Sequence, residues 1–289
     1  MGRSDGGRLC RPPSSARSCL PKSVQLSYIF IRMSSSQGAG SFAHPDEAFF
    51  AHEGGSMNPP ARQFKNRVLA ALPKAEIARL TRHLSPVTMK QYETLLDGKA
   101  AYGYFLEDGI ASVVVTVENG NTVEVGIIGV DGVVGVPILL GAHSPPGRTF
   151  IQIAGSGFRI KAEDLKDEFE RPSELRQHLQ RYMQGFFVQT AQTAACNRLH
   201  TIEERLARWL LACRDRMETD ELRLTHDFLG QMLGAPRTTV TLAAGLLHKA
   251  GLIDYSRGMV TIKDRAQLEN TACECYRIVR DEFQRLSLL

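Results

Sequence analysis

The stretch of residues 222–261 constrains the fold of this chain more than any other segment. Thr225 is a residue type that caps helix N-termini, and Asp227 carries a charge that favours the first turn of a helix. Gly234 can end this helix in the left-handed conformation, and Pro236 suits the first turn of a second helix. Between them, four apolar residues fall at helical spacing and make one buried face: Phe228, Leu229, Met232 and Leu233.

The second predicted helix has polar side chains on its first turns and apolar side chains that can pack. The polar residues are Arg237, Thr238, Thr239 and Thr241, and the apolar ones are Val240, Ala243, Ala244, Leu246 and Leu247. The helix ends at His248, Lys249 and Gly251, and residues 252–255, 256–258 and 259–262 then follow a strand–turn–strand pattern. This order predicts a winged helix-turn-helix, with a helical hairpin that only packs as the alternative.

A second helix presented in this way fits the major groove of DNA, where its N-terminal residues meet base edges. Arg237 is the candidate for a guanine contact, because its forked guanidinium can engage two acceptors, an interaction worth about 1–3 kcal/mol. A surface ion pair is the alternative role for this arginine. The other members of the predicted DNA-binding set contact phosphates or thymine methyl groups or shape the turn: Thr225, Pro236, Thr238, Thr239, Thr241, Lys249, Ser256 and Arg257.

Charge gives weaker support for nucleic acid than the helix pattern does. The 289-residue chain has a formal net charge of only +4 and is long enough for two domains plus a tail. A local basic face is nevertheless expected over residues 223–265, where Lys and Arg outnumber Asp and Glu. No run approaches the ~18–20 apolar residues that a membrane span needs, so we expect no membrane partner.

The cysteines have no metal-ligand spacing, and we predict no metal site. They are Cys10, Cys19, Cys196, Cys213, Cys273 and Cys275. The pair Cys273-x-Cys275 lies on a predicted helix without a second pair or nearby histidines, which favours ordinary thiols over a metal or redox site. Nothing demands an oxidising compartment, so the predicted location is the cytoplasm.

The N-terminal region differs in composition from the rest of the chain. Residues 1–60 are rich in Ser, Gly, Arg and Pro without sustained periodicity, and we expect a disordered leader. Met33 and Met57 both precede more regular sequence, and our hypothesis is that native translation begins at one of them. A signal peptide is not expected, because the short apolar patch at residues 24–31 has no small-residue cleavage site after it.

Residues 61–172 are predicted to form an antiparallel β-roll. A helical pattern at residues 62–84, broken at Pro73, comes first, and a helix over residues 162–169 comes last. The strand candidates between them are residues 102–106, 111–117, 122–128, 133–140 and 149–153. Asn119-Gly120 is a strong hairpin signal between the second and third of these.

A long helix is predicted over residues 173–200, followed by another over residues 202–214. The first carries a stripe that steps by alternate fours and threes, which is the period of a seam between two helices: Leu175, Leu179, Tyr182, Phe186, Gln189, Thr193 and Cys196. We expect this seam to form a homodimer, and packing against the chain's own roll is the alternative. His200-Thr201 is then the predicted hinge before the DNA-binding region, residues 201–289.

This order of an N-terminal β-roll, a long helix and a C-terminal winged helix-turn-helix resembles the Crp/Fnr superfamily of bacterial transcription regulators. The resemblance covers roughly residues 62–289 and is strongest over residues 197–262. It implies an α+β fold with a jelly-roll-like sensor, and a base-contacting role for Arg237. The sequence departs at Thr238, where many members carry Glu, and at Leu242, which replaces a second arginine used on DNA.

The sensor half departs further from the family pattern. Cyclic-nucleotide-binding members carry a glycine–glutamate pair, but Gly135 is followed here by Val136, and Arg148-Thr149 stands where an arginine–serine pair is expected. These residues, Gly135, Arg148 and Thr149, are the candidate effector set. No cofactor is predicted, although a cyclic nucleotide, or haem held by His83 or His143, remains an option. The N-terminal cysteines are too few for the family's iron–sulfur centre.

These observations together predict a homodimeric transcription regulator that binds a pseudo-palindromic double-stranded DNA site, with RNA polymerase as a candidate partner. A cyclic-nucleotide-binding module that acts through protein partners is the alternative. An enzyme is not expected, because no nucleophile–base pair, HExxH motif or phosphate-binding glycine loop is present. His200-x-x-Glu203 has no apparent third metal ligand.

Overall fold

The structure, a computed structural model, describes residues 64–118, 120–142 and 147–288. Within these ranges the chain has the predicted mixed α+β class, with a strand-rich N-terminal half and a mainly helical C-terminal half. The predicted leader, Cys10, Cys19, Asn119 and His143 lie outside the described residues.

The N-terminal half consists of strands framed by short helices. Helices α1 (Arg67–Ala70) and α2 (Lys74–Leu80) come first, with the break at Pro73 as predicted. The strands are β1 (Ser85–Met89), β2 (Thr94–Asp97), β3 (Tyr102–Leu106), β4 (Ile110–Thr116), β5 (Thr122–Ile128), β6 (Arg148–Ile153) and β7 (Gly155–Lys161). Helix α3 (Val136–Leu139) lies between β5 and β6, and α4 (Ala162–Glu170) follows β7.

The seven strands form two antiparallel sheets, ordered β1-β7-β3 and β2-β6-β4-β5. The β4–β5 hairpin pairs Thr116 with Thr122, and Gly120 occupies its turn with a φ of +84°. One strand candidate is wrong: residues 133–140 form a bridge at Val134 and then α3. Pro137 has no N–H for a ladder and suits a helix start, which explains the difference.

Helix α5 (Glu174–Leu199) begins at Ser173, whose hydroxyl accepts a hydrogen bond from the Arg176 amide. It packs on α10, β5, α4 and α1 of the same chain. Most of the predicted seam is thereby buried: Leu175, Leu179, Tyr182, Gln189, Thr193 and Cys196 are covered, and Phe186 is half-buried. The structure therefore has these residues packed within the chain, in part against the roll as in the alternative and in part against α10, and they are not an exposed surface for a partner.

A polar residue of the stripe has its hydrogen-bond partner in the roll. The Gln189 side chain donates to the Ile127 carbonyl at 3.1 Å, which ties α5 to β5. Gly126 also lies so close that a Cβ atom there would come within 2.8 Å of the Phe186 ring. A glutamine in the stripe is thus paired with a strand backbone, a partner that helical periodicity does not reveal.

The C-terminal half begins at α6 (Ile202–Met217), which is separated from α5 by two residues. His200 and Thr201 are both extended, and Thr201 forms a capping box with Glu204. The remaining elements are β8 (Glu221–Arg223), α7 (His226–Leu233), α8 (Arg237–Lys249), β9 (Ile253–Ser256), β10 (Met259–Ile262), α9 (Arg265–Thr271) and α10 (Glu274–Arg285). Among the described residues, no helix is long and apolar enough to cross a membrane.

Candidate nucleic-acid interface

Helices α7 and α8 form the predicted helix-turn-helix. The Thr225 hydroxyl accepts a hydrogen bond from the Phe228 amide at 3.2 Å and caps α7. Gly234 ends α7 with a φ of +57°, in the left-handed conformation that glycine adopts without strain. Pro236 is the N-cap residue of α8, one position before the first helical turn. The four apolar residues of α7 are buried as predicted.

Helix α8 buries one face and exposes the other. Val240, Ala243, Ala244 and Leu247 pack inward as predicted. Leu246, expected to pack, is instead 56 % exposed, and Leu242 is 70 % exposed. The rest of the outer face is polar: Arg237, Thr238, Thr241 and Lys249 are exposed, and Thr239 is half-buried. This outer face is the surface that the sequence assigned to DNA.

Arg237 lies at the N-terminal end of α8 and makes a surface ion pair. Its guanidinium is 3.2 Å from the Asp227 carboxylate of α7, and both side chains are about two-thirds exposed. Exposed pairs of this kind contribute about 0–1 kcal/mol, so a better acceptor can displace Asp227 at little cost. The surface ion pair that the sequence analysis gave as the alternative role of Arg237 is therefore present in the structure.

His226, which the sequence analysis missed, connects α7, α8 and the wing. Its Nδ1 lies 3.0 Å from the Thr241 hydroxyl, and that hydroxyl donates to the Arg237 carbonyl at 2.9 Å. The ring stacks on Tyr255 of β9 with centroids 4.0 Å apart. Burial, and then the charge of Arg237, lowers the pKa of His226, which favours the neutral ring. Because the Thr241 hydroxyl donates its proton to the Arg237 carbonyl, it accepts a hydrogen bond from Nδ1. The histidine thus orients the start of α8.

The wing is the β9–β10 hairpin, extended by β8 on the other edge of β10. Arg257 and Gly258 form its tip with φ values of 48° and 77°, the two positive angles of a type I′ hairpin turn. The Leu224 amide donates to the Gly258 carbonyl at 2.8 Å and holds the wing against the start of α7. Ser256 and Arg257 are exposed at the tip.

The inner side of the helix-turn-helix packs on the roll. The Phe228 ring of α7 lies 6.0 Å from Tyr92 and 6.5 Å from Phe150, both in the N-terminal half. A cleft of about 800 Å³ continues this contact outward, between the β4–β5 hairpin and the start of α8. Arg148 and Arg237 both line it, so the candidate base-contacting arginine stands beside the roll.

A buried carboxylate joins the roll to α6. Glu124 of β5 accepts hydrogen bonds from the Trp209 indole at 2.7 Å and from the Ser112 hydroxyl at 2.6 Å. Burial raises the pKa of Glu124 to about 7, against the lowering effect of these two hydrogen bonds. Trp209 and Glu124 are 85 positions apart in the chain, so no local sequence pattern indicates this pair.

The candidate effector residues have different surroundings. Gly135 is buried with a φ of +135°, and Thr149 is buried in β6. The Arg148 guanidinium lies 5.0 Å from the Phe150 ring and lines the cleft beside α8. A separate cavity of about 530 Å³ in the roll is lined by none of the three, but by residues that include Lys99, Lys161 and Lys166. His83, a haem option, pairs with Asp164 at 3.3 Å.

One group of side chains comes together although no spacing along the chain indicates it. Cys196, His200, Cys273 and Cys275 meet at the junction of α5 and α10. The three thiols are buried, as is Cys213 elsewhere in α6. Seventy-seven residues separate Cys196 from Cys273, so only the tertiary fold reveals the group.

Comparison with known proteins finds a match for the helix-turn-helix region of this chain. Residues 204–271 match the model of the Crp-like helix-turn-helix domain. No curated protein matches the chain by sequence.

Solved structures that share the fold include three that cover about two-thirds of this chain. FixK2 from Bradyrhizobium japonicum has a TM-score of 0.55 and 16 % identity, over 66 % of this chain and 98 % of that one. A Crp/Fnr-family transcriptional regulator from Thermus thermophilus has 0.54 and 20 %, over 65 % and 98 %. The c-di-GMP-responsive global regulator CLP from Xanthomonas campestris has 0.55 and 15 %, over 66 % and 100 %.

Proposed function

From a Crp-like helix-turn-helix domain within a Crp/Fnr fold, we propose that the chain is a cytoplasmic homodimer that binds a two-fold DNA site. This combination of domain and fold is the organisation of a DNA-binding transcription regulator. The observation that carries the proposal is the exposed, largely polar outer face of α8, held between α7 and a wing. The family match also supports the prediction that the chain is not an enzyme.

Arg237 is the proposed base-contacting residue. On entering the major groove it exchanges its exposed ion pair with Asp227 for the O6 and N7 acceptors of guanine. The exposed Leu242, five residues further along α8, offers an apolar contact to a thymine methyl group. Phosphates are contacted around them by Thr238, Thr239, Thr241, Lys249, Ser256 and Arg257.

The dimer uses the outer face of α5, because the chain itself covers the inner one. Exposed residues on this face step by fours and threes: Gln180, Gln184, Phe187, Ala191 and Ala194. Phe187 is 69 % exposed in the middle of the helix, where a second copy would bury it. A two-fold dimer through α5 presents two copies of α8 to successive major grooves, about one helical turn apart.

A signal acting on the roll would change the position of α8 through the contacts that link the two halves. Phe228 on Phe150 and Glu124 on Trp209 are these contacts. A ligand shifts the population only by its difference in affinity for the two positions. RNA polymerase remains the proposed protein partner.

The DNA proposal is tested by selecting binding sites from random duplex DNA with the full chain and with Arg237→Ala. We expect a two-fold motif for the wild type and its loss, or binding about 5–150-fold weaker, for the variant, as the removal of one bidentate base contact predicts. Arg82→Ala, at an exposed position near the end of α2, is the control and should keep the motif. A motif unchanged in Arg237→Ala would contradict the assigned contact.

The dimer proposal is tested by light scattering of Phe187→Asp. We expect the wild type to have the mass of two chains and the variant that of one, because a carboxylate at the centre of an apolar contact is not compensated. Leu140→Asp is a matched control, since Leu140 is also 69 % exposed but lies in the roll. A dimeric Phe187→Asp variant would exclude this face of α5.

A further inference from the structure

Four side chains that can bind a metal ion meet where α5 ends and α10 begins. Cys196 lies in the last turn of α5 and His200 is its C-cap, while Cys273 is the N-cap of α10 and Cys275 lies in its first turn. Their ligand atoms, three sulfurs and one imidazole nitrogen, all lie within 4.8 Å of one another. The three thiols are buried, and the imidazole is 15 % exposed.

The spacing of these atoms fits a single tetrahedral ion. Zn–S bonds of about 2.3 Å and Zn–N bonds of about 2.0–2.1 Å place ligand atoms about 3.8 Å (S to S) and about 3.5 Å (S to N) apart. The Sγ atoms of Cys196 and Cys273 are 3.4 Å apart, and Cys275 Sγ is 3.7 Å from His200 Nδ1. We propose that Cys196, His200, Cys273 and Cys275 bind one Zn²⁺ as a closed Cys₃His site.

The outer contacts of His200 suit a metal ligand. Its Nε2 lies 3.2 Å from the Glu274 carboxylate, so the ring turns Nδ1 toward the sulfurs. A histidine that binds metal through one nitrogen generally donates its other N–H to a carboxylate or carbonyl. Glu274 therefore holds the proton on Nε2 and leaves the lone pair of Nδ1 for the ion.

Charge around the cluster gives an independent reason for thiolates. Arg208 is only 8 % exposed, lies within hydrogen-bonding range of Cys196, and has an Nε atom without a partner among the described residues. The charge of Arg205 also acts on Cys196 and Cys273. Zn²⁺ with three thiolates and a neutral imidazole carries one negative charge, which compensates a buried guanidinium. Three neutral thiols would leave the charge of this guanidinium without compensation.

The site connects the two ends of the DNA-binding half. Residues 201–272, which contain α6 to α9, lie between the ligands of α5 and those of α10. The ion would therefore close this segment into a loop and fix the joint at His200 and Thr201. The function inferred for the site is structural, since a closed set of four protein ligands leaves no open position for a substrate.

The test is metal analysis of the full chain purified under reducing conditions, with thiols counted on the same sample. We expect one zinc per chain, and Co²⁺ added to the reduced, metal-stripped chain should give the visible absorption of a tetrahedral thiolate site. Cys196→Ser, Cys273→Ser and Cys275→Ser should lose both. Cys213→Ser is the matched control, because Cys213 is equally buried but lies outside the cluster, and it should keep both.

A second variant covers the case in which removal of a ligand prevents folding. Glu274→Gln changes an exposed side chain, and we expect zinc affinity to fall about 10–100-fold, the usual effect of losing a partner of a ligating histidine. Reduced wild type that takes up neither zinc nor cobalt would overturn the proposal. So would a Cys196–Cys273 disulfide, seen as two lost thiols, that forms while metal is available.

Discussion

The two sides of the winged helix-turn-helix differ in how firmly their polar groups are held. On the outer side, Arg237 and Asp227 form an ion pair that is mostly in water. On the inner side, Glu124 is fully enclosed and hydrogen-bonded to Trp209 and Ser112. Exposed pairs are easily exchanged, whereas a buried group that loses its partner is costly. The outer side can therefore exchange partners with DNA, and the inner side can transmit position.

The substitution with the largest expected effect on this difference is Trp209→Ala. We expect the free energy of unfolding to fall by about 3–5 kcal/mol, because the substitution leaves a cavity and removes the indole donor from Glu124. Denaturant unfolding measures the change. Trp209→Phe removes the same donor but keeps most of the ring volume, so it should cost less. Equal losses for the two variants would mean that the cavity contributes nothing and the lost hydrogen bond accounts for the whole effect.

A smaller effect is expected from the titration of Glu124. Its pKa is raised from 4.5 to about 7 in the folded chain. Below pH about 4.5 both states hold the proton, and between about 4.5 and 7 only the folded state does. The free energy of unfolding should therefore fall as the pH rises through this window, by up to roughly 3 kcal/mol, and then level off.

Glu124→Gln keeps the shape of the side chain but cannot ionise. Its unfolding free energy, measured in denaturant at pH 5 and pH 8, should lack this part of the pH dependence and exceed that of the wild type at pH 8. A variant with the same pH profile as the wild type would show that other groups cause the dependence.

The smallest effect concerns the wing tip on the outer side. Arg257→Asn removes a proposed phosphate contact with a residue that tolerates the positive φ of this position. We expect the unfolding free energy to stay within about 0.5 kcal/mol and the slope of log K against log salt to fall by about 2, about 1 for each subunit of the proposed dimer. Arg257→Lys keeps the charge and should keep the slope. A large loss of stability in Arg257→Asn would show that this outer-side residue also stabilises the fold, against the proposed difference between the two sides.

The sequence predicted the outer side better than the inner one, and the reason is the range of the signals. The Thr225 cap, the Gly234 turn and the Arg257-Gly258 hairpin are each decided within a few residues. The packing of Gln189 on Ile127 joins residues 62 positions apart, so the helical stripe was assigned to a second copy instead of the roll.

The same limit explains the smaller errors. The apolar composition of residues 133–140 suggested a strand, although Pro137 lies in the first turn of a short helix there. The four members of the cysteine–histidine cluster lie in two helices whose meeting no local pattern encodes. The candidate effector residues were carried over by resemblance alone, and Arg148 lines the cleft beside α8.

The two extended residues between α5 and α6 have a geometric consequence. A continuous helix can only bend, and bending spreads a small change over many turns. Here both neighbours are rigid, and the intervening chain has only about four soft dihedral angles, two for each residue. Few backbone angles therefore set the direction of α6 relative to α5. The capping box of Thr201 with Glu204 fixes the first turn of α6, so the variable angles end at Thr201. A change in these angles would therefore turn α6 as a unit relative to α5, and the packing of α10 on α5 opposes such a turn.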